Sequence, residues 1–489
     1  MNRLSLITLT VASLLLAPFA SAQDTGGVSQ SAASGTVVKG KAPVAKDILR
    51  VRFPKPRSFK LKNGLSVYVL DDHRAPIVHF SLQLRAGSVY ENKAGVAAAT
   101  ASLLTEGTET RSLAQLSDET ESSGASLNAN AGLDSATLTT AGLSESTNTL
   151  LDLMADVLLH PTFPVDRLDR FKVLQRNSLS QRRTNPTAMI SELESQVFYG
   201  GTKYARAAPT ASEIRAISRD DLVQFYGQFY RPSGAILGVT GDVDSKLLKA
   251  KLEAALGSWT ASGPVTELPN ADFQPKSAAH IYLIDRPGSA QSVLQFGSLG
   301  VKQNDPDFIA LTVANRVLGG GSSGRLFQNI RERKGYTYGA YSTLSAGKWP
   351  GIWGANASVR TEVTEPAVGE FFFEFKRLQS EPVPAEELAL AKRSLVGGFA
   401  RTLESNDGIL ARTLELVQND LPSNYWDTYP KLIEAVSSAD IMRVAKKYLG
   451  GGNIQLLVVG ERKRIETGLA KYGTVEVLDP TKISSVKAR

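Results

Sequence analysis

Residues Asn315–Tyr338 read NRVLGGGSSGRLFQNIRERKGYTY. Three consecutive glycines, Gly319 to Gly321, precede Ser322, Ser323 and Gly324. A short helical pattern follows, with Leu326, Phe327 and Ile330 on one face. Arg331, Arg333 and Lys334 fall in its last turn, where cations suit the helix dipole. Gly335 fits the residue just past the helix end. Tyr336 and Tyr338 open a strand-like run. A loop with little steric restriction, a placed arginine and a placed tyrosine thus lie within 24 residues. That set suits a site that handles a peptide backbone.

Two unrelated motifs also fit this stretch. Gly319–Gly324 matches G-x-G-x-x-G, and Gly320–Gly324 matches G-x-S-x-G. A dinucleotide fingerprint and a nucleophile elbow both need a strand before the glycines. Here Phe308 to Leu318 has helical periodicity, which argues against both. Glycine tolerates positive φ and lets another backbone come close. The bland reading is a helix stop and a turn; the sharper one is a loop that admits a substrate backbone.

The chain has 489 residues, 42% hydrophobic and 21% charged, with a net charge of +7. These values are ordinary for globular protein, and the length predicts several domains. The charge is small for the length and no long basic run occurs, so nucleic-acid binding is not indicated. Cysteine is absent, which excludes disulfides, thiol nucleophiles and cysteine metal sites. Residues 1–22 read as a signal peptide: Arg3, an apolar run over Leu6–Leu16, then Ala20-Ser21-Ala22 as a cleavage site. Residues 23–48 read as a flexible leader. No later stretch is long and apolar enough to span a bilayer, so no membrane anchor is expected after cleavage. The periplasm is the expected location, with secretion the second choice.

From Phe59 onward the chain alternates strands and helices. Asn63-Gly64 marks a hairpin. Ile77–Leu84 reads as a strand, Gly95–Leu104 as an alanine-rich helix, and Phe171–Gln181 lies in a long basic helix. Leu222–Asp242 runs helix, strand, glycine, and Ile441–Gly460 repeats that order. The Pro-rich stretch at 258–276 reads as a linker. The chain is therefore expected to be α+β, with two related domains at 49–257 and 277–475 and a tail at 476–489.

A metal site is the next question. His73, His79, His160 and His280 are the only histidines. No H-E-x-x-H or H-x-x-E-H places two of them on one helix face.

In order along the chain, Asn63-Gly64-Leu65, Pro76, Ala86-Gly87-Ser88 and Glu91 resemble the opening of the M16 peptidase family, also called pitrilysin or insulinase-like. Gly124–Leu127, Pro161–Pro164, Tyr230-Arg231-Pro232 and Gly241-Asp242-Val243 are similar to its middle. Leu318–Phe327, Ile330-Arg331 and Gly335–Tyr338 resemble its second-domain signature. The two-domain M16B branch is the nearest match. The resemblance implies two homologous LuxS/MPP-like metallohydrolase domains forming one half of a clamshell.

It also implies what is missing. Family enzymes carry H-x-x-E-H after the A-G-S segment and a glutamate about 76 residues later. Here the two histidine positions are Ala98 and Ser102, the general-base position is Ala101, and the third-ligand position is Ser178. None can hold zinc or activate water. The resemblance equates Arg331 and Tyr338 with an Arg/Tyr pair that reaches a partner's zinc site, and Gly319, Gly320 and Gly321 with a substrate-contacting loop. It implies a non-catalytic subunit with no cofactor of its own. Zinc is expected on an M16B partner with an intact H-x-x-E-H motif, and a peptide is the expected substrate. The alternative is a peptide-binding pseudoenzyme or scaffold with no role in cleavage. An independent peptidase would require a metal site that the sequence lacks.

Overall fold

The computed structural model describes residues 49–480 and 483, apart from 206–208, 261–266, 268–270, 451 and 453. The expected signal peptide and leader lie outside the described residues. Among those residues no helix is long and apolar enough to cross a membrane.

Two six-stranded sheets organise the chain. The first contains β1 (Arg57–Lys60), β2 (Ser66–Asp71), β3 (Ile77–Leu84), β4 (Ser126–Ala131), β5 (Ala136–Leu143) and β6 (Ile236–Gly241). Its order is β1-β2-β6-β3-β5-β4. The second contains β7 (His280–Asp285), β8 (Gln291–Leu299), β9 (Thr337–Leu344), β10 (Ile352–Arg360), β11 (Gln455–Gly460) and β12 (Thr474–Leu478), ordered β12-β7-β11-β8-β10-β9. The late strand lies parallel to the early one in both halves: β6 to β2 and β11 to β7. The shared order fits the duplication expected from the sequence.

The halves differ at one edge. β1 closes the first sheet by an antiparallel hairpin across Asn63-Gly64. The second sheet has no such hairpin. There β12 adds parallel to β7, from the C-terminal end of the chain. The strand runs through Leu478, so the expected tail at 476–489 begins inside the sheet. Edge pairing of β7 is the physical reason: an uncovered strand edge leaves backbone donors and acceptors unpaired.

Each sheet buries one face under helices of its own half. Leu150, Leu153, Met154 and Val157 of helix 147–159 pack against Val67, Phe80 and Leu82 in the first core. Leu311, Val317, Val368, Phe371 and Phe375 pack against Leu294 and Phe296 in the second.

The opposite faces are covered reciprocally. Helix Pro186–Tyr199 follows the long helix Val165–Arg182 of the first half. It lays Met189, Ile190, Leu193, Val197 and Phe198 against Tyr282, Ile284, Leu457 and Val459 of the second sheet. Helix Asn406–Gln418 follows the long helix Ala385–Thr402 of the second half. It sits on the first sheet, where a Cβ at Gly238 of β6 would lie 2.6 Å from the Leu410 methyls. A Cβ at Gly297 of β8 would lie 2.7 Å from the Phe198 ring. Side-chain bonds stitch the same seams: Asn406 Nδ2 to Asp72 at 2.6 Å, His79 Nδ1 to Asp407 at 2.9 Å, and Gln295 Nε2 to Glu194 at 2.9 Å. The described residues accordingly form one compact unit rather than two beads on a linker.

This exchange generates a stability prediction. Leu410 is 3% exposed, and Leu410→Ala should cost roughly 2–5 kcal/mol. Urea unfolding checks it. Weakening one seam should also separate the far-ultraviolet and tryptophan transitions, which coincide when unfolding is cooperative. A wild-type midpoint with coincident transitions would remove the seam from the account of stability.

Candidate functional site

The alanine-rich segment folds as helix Val96–Leu103. Glu91, 2% exposed, anchors its start. The carboxylate accepts from Gly95 N at 3.0 Å and Ala97 N at 2.8 Å, placing an anion at the positive helix end. Ala97, Ala99, Thr100, Ala101 and Leu103 face inward. Ala98 and Ser102, four residues apart, share the outer face. Ala101 has no exposed surface.

Ser178 lies on helix Val165–Arg182, which packs beside this helix, and it is exposed. The four positions that the resemblance equates with ligands and base therefore sit on two neighbouring helices but offer two methyls and two hydroxyls. That donor set does not fit zinc, which takes imidazole, thiolate or carboxylate. The four histidines are each committed to a different carboxylate: His73 to Asp242, His79 to Asp407, His160 to Glu109 and His280 to Glu476. The bond from Asp242 raises the His73 pKa. Among the described residues no group of three or more His, Asp or Glu could hold a metal ion.

The second half carries the glycine loop and the Arg/Tyr pair. Helix Phe308–Leu318 ends at Gly319 as expected. None of Gly319, Gly320, Gly321 or Gly324 has positive φ. Close approach explains them instead, and it is approach of the chain to itself. A Cβ at Gly319 would lie 2.6 Å from Ser342 N of β9. Arg316 folds over Gly320 and Gly321, and its guanidinium donates to the Gly320 carbonyl. Gly319 is buried, so the loop's open part is Ser322-Ser323.

The following segment is a π-helix, Phe327–Arg333, where an ordinary helix was expected. Such wider turns are uncommon and often mark functional sites. Its buried side is fixed three ways. Leu326 and Ile330 have no exposed surface. Arg325 makes a bidentate pair with Glu387 at 2.8 and 2.9 Å. Asn329 Nδ2 donates to both Glu370 and Glu374 at 2.9 Å. Burial raises the Glu374 carboxyl pKa despite Arg377, Arg325 and Arg333 nearby. Burial would also raise that of Glu370, but bonds from Lys334 and Asn329 outweigh it and lower it. Gly335, with φ of 63°, closes the turn: Gly335 N donates to Arg331 O and Tyr336 N to Ile330 O, each at 3.0 Å.

Arg331 emerges from this anchored turn with its side chain 44% exposed. Its guanidinium lies 4.6 Å above the Phe327 ring, and Phe327 in turn meets Tyr341 at 5.5 Å. Its only ion pair among the described residues is with Glu332 at 3.6 Å, on the adjoining residue. Tyr338, on edge strand β9, is 90% exposed. Sequence reading missed the Phe327–Tyr341 platform; the signal available was the aromatic residue four before Arg331. Chemically, Arg331 and Tyr338 are solvent-facing donors. They can bind a carbonyl or an oxyanion, but neither supplies a base at neutral pH.

The loop geometry predicts unequal glycine substitutions. Gly319→Ala drives a methyl into the Ser342 backbone and should cost about 1–3 kcal/mol. Gly321→Ala meets only the mobile Arg316 guanidinium, at 2.7 Å, and should stay within about 0.5 kcal/mol. Urea unfolding of the two variants distinguishes them; equal losses would mean the loop is not held against β9.

A family model described as insulinase, peptidase family M16, matches residues 66–208, and one described as the peptidase M16 inactive domain matches residues 216–395. The chain is 24% identical over 396 residues to an uncharacterized zinc protease, YmxG, of Bacillus subtilis, covering 79% of this chain and 93% of that one. It is 22% identical over 398 residues to a protein of Helicobacter pylori named non-peptidase homolog YmxG, covering 81% and 91%. The crystal structure of a peptidase M16 inactive domain from Pseudomonas fluorescens matches with a TM-score of 0.75 and 26% identity, covering 83% of this chain and 98% of that one.

Proposed function

The chain belongs to the M16 peptidase family, and from that premise we propose that it is a non-catalytic subunit of a two-chain M16 endopeptidase. The observation that carries this reading is an asymmetry between its halves. The first half has Ala98, Ala101, Ser102 and Ser178 where chemistry would need ligands and a base. The second half holds Arg331 on a tightly anchored turn and leaves Tyr338 open on an edge strand. A chain with no catalytic role gains nothing evident from an exposed arginine fixed over an aromatic ring.

In this reading the metal and the attacking water belong to a partner with an intact H-x-x-E-H motif. This chain supplies hydrogen-bond donors. The peptide binds in a chamber between the two subunits, each forming half of a clamshell. Arg331 Nη and the Tyr338 hydroxyl donate to the scissile carbonyl oxygen, whose negative charge grows as the carbon becomes tetrahedral. Fixed donors aimed at developing charge contribute on the order of 3 kcal/mol. The open Ser322-Ser323 part of the loop that follows Gly319–Gly321 offers backbone groups to the peptide. The assembly acts after export, in the periplasm.

The name non-peptidase homolog, carried by the Helicobacter relative, favours a second reading in which this chain only binds peptides or scaffolds a complex. The two readings part in one experiment. The isolated chain should hold well under one zinc per chain by plasma emission and cleave no peptide. Adding an M16 partner with intact ligands should give cleavage. Arg331→Ala should then lower kcat about 100-fold, and Tyr338→Phe about 10-fold, with the complex intact by gel filtration. Unchanged kcat in both variants would leave the scaffold reading. One zinc per chain with activity from the lone protein would overturn both.

A further inference from the structure

Helix Val165–Arg182 is unusually bare. Of its 18 residues only Leu168 is buried. Val173 and Leu174 are 45% and 57% exposed. From Arg170 to Ser191 the chain carries Arg170, Lys172, Arg176, Arg182 and Arg183 and no carboxylate. Lys172 is engaged with Asp169 at 3.5 Å. Arg170, Arg176, Arg182 and Arg183 make no ion pair among the described residues, and all four are exposed. Asp166 and Asp169, at the start of the helix, pair with Arg167 and Lys172. Glu192 is close enough to feel Arg182 and Arg183, but burial dominates it and raises its pKa. Glu213, on the adjoining helix Ala211–Ala216, is spent on the Thr210 cap.

The placement matters as much as the charge. Arg170, Leu174, Ser178 and Arg182 fall at i, i+4 spacing and form one ridge. Ser178 is the position where family enzymes hold their third ligand. Arg176 and Arg183, seven residues apart, lie on the other flank of the helix, so exposed cations stand on both flanks of its C-terminal turns, with an apolar step at Leu174. No aromatic ring is exposed on the helix, since Phe171 packs on the first core, so bases would find no stacking surface.

We propose that the exposed arginines in the C-terminal turns of this helix select peptides carrying a run of carboxylates, with the acidic segment lying along Arg176, Arg182 and Arg183. The inference rests on the peptide-binding reading above and names its substrate class. Exposed charges give modest, salt-sensitive attraction singly and a useful preference together.

The test uses the full mature chain and three labelled peptides, alike except for a central block of Glu, Gln or Lys. Fluorescence anisotropy should show the Glu peptide binding about tenfold tighter than the Gln peptide, and the Lys peptide weakest. Raising salt from about 0.05 to about 0.5 M should erase most of the difference. The triple variant Arg176→Gln, Arg182→Gln, Arg183→Gln should bring the Glu peptide down to the Gln value and leave the Gln peptide unchanged. Arg331→Ala should keep the preference. Equal binding of all three peptides, or a triple variant that keeps the preference, overturns the proposal while peptide binding stands. If no peptide binds, the peptide-binding reading falls and this falls with it. Binding to phosphatidylglycerol vesicles without binding to the Glu peptide assigns these arginines to a lipid surface and overturns the proposal as well.

Discussion

The exchange of one helix between the halves is the constraint on which the rest depends. A six-stranded sheet with one covered face still exposes an apolar face, and an exposed apolar face is unstable in water. Each half solves the other's problem. Phe198 and its neighbours cover the second sheet, and Leu410 with its neighbours covers the first. Glycine at 238 and at 297 is the local condition, because a side chain at either position would hold the incoming helix away. The consequence is rigid registration. The helix with Ala98 and Ser102 and the turn with Arg331 belong to different halves, yet one compact unit carries both.

Within that frame the first half pairs a firmly capped helix with side chains at 98, 101 and 102 that offer no metal ligand and no base. The Glu91 cap still holds the start of helix Val96–Leu103. Alanine at 98 and 101 is the best helix former available. A glutamate at 101 would place a charge at a position with no exposed surface, which is costly without a partner. Alanine there carries no such cost. The second half shows the opposite pattern. Its π-helix is held by buried charge pairs around Glu374 and Glu387, an expensive arrangement to desolvate. Such a network makes most sense where the geometry of one emerging side chain matters, and Arg331 is that side chain.

The elements with clear local chemistry were legible in the sequence. Ile77–Leu84 and Phe308–Leu318 match their observed bounds because alternation and helical spacing there are unbroken. The lack of an H-x-x-E-H motif is a property of the sequence itself, which holds four histidines and no two of them four apart. The two exchanged helices were not read, although Asn185-Pro186 and Ser405 are sound helix starts. Their apolar residues serve the other half's sheet, so neither fitted a pattern of one domain burying its own core. β12 was missed for the same reason: its partner, β7, lies almost 200 residues earlier. The glycine loop was read as an opening for substrate. What it admits is Ser342 and Arg316, contacts that become neighbours only when β9 forms. The Arg167–Arg183 stretch was read as a long basic helix; its bareness is a tertiary fact.

Arg331 and Tyr338 differ in how they are held, and the difference bears on what each can contribute. Arg331 stacks on Phe327, which leans on Tyr341, so the guanidinium has already lost much of its freedom. Preorganised donors gain more from a developing charge because less ordering remains to be done when the charge appears. Tyr338 has only its backbone in β9 to direct it. Its ring is 90% exposed. Of the two donors, the arginine is therefore the one whose direction the chain itself sets.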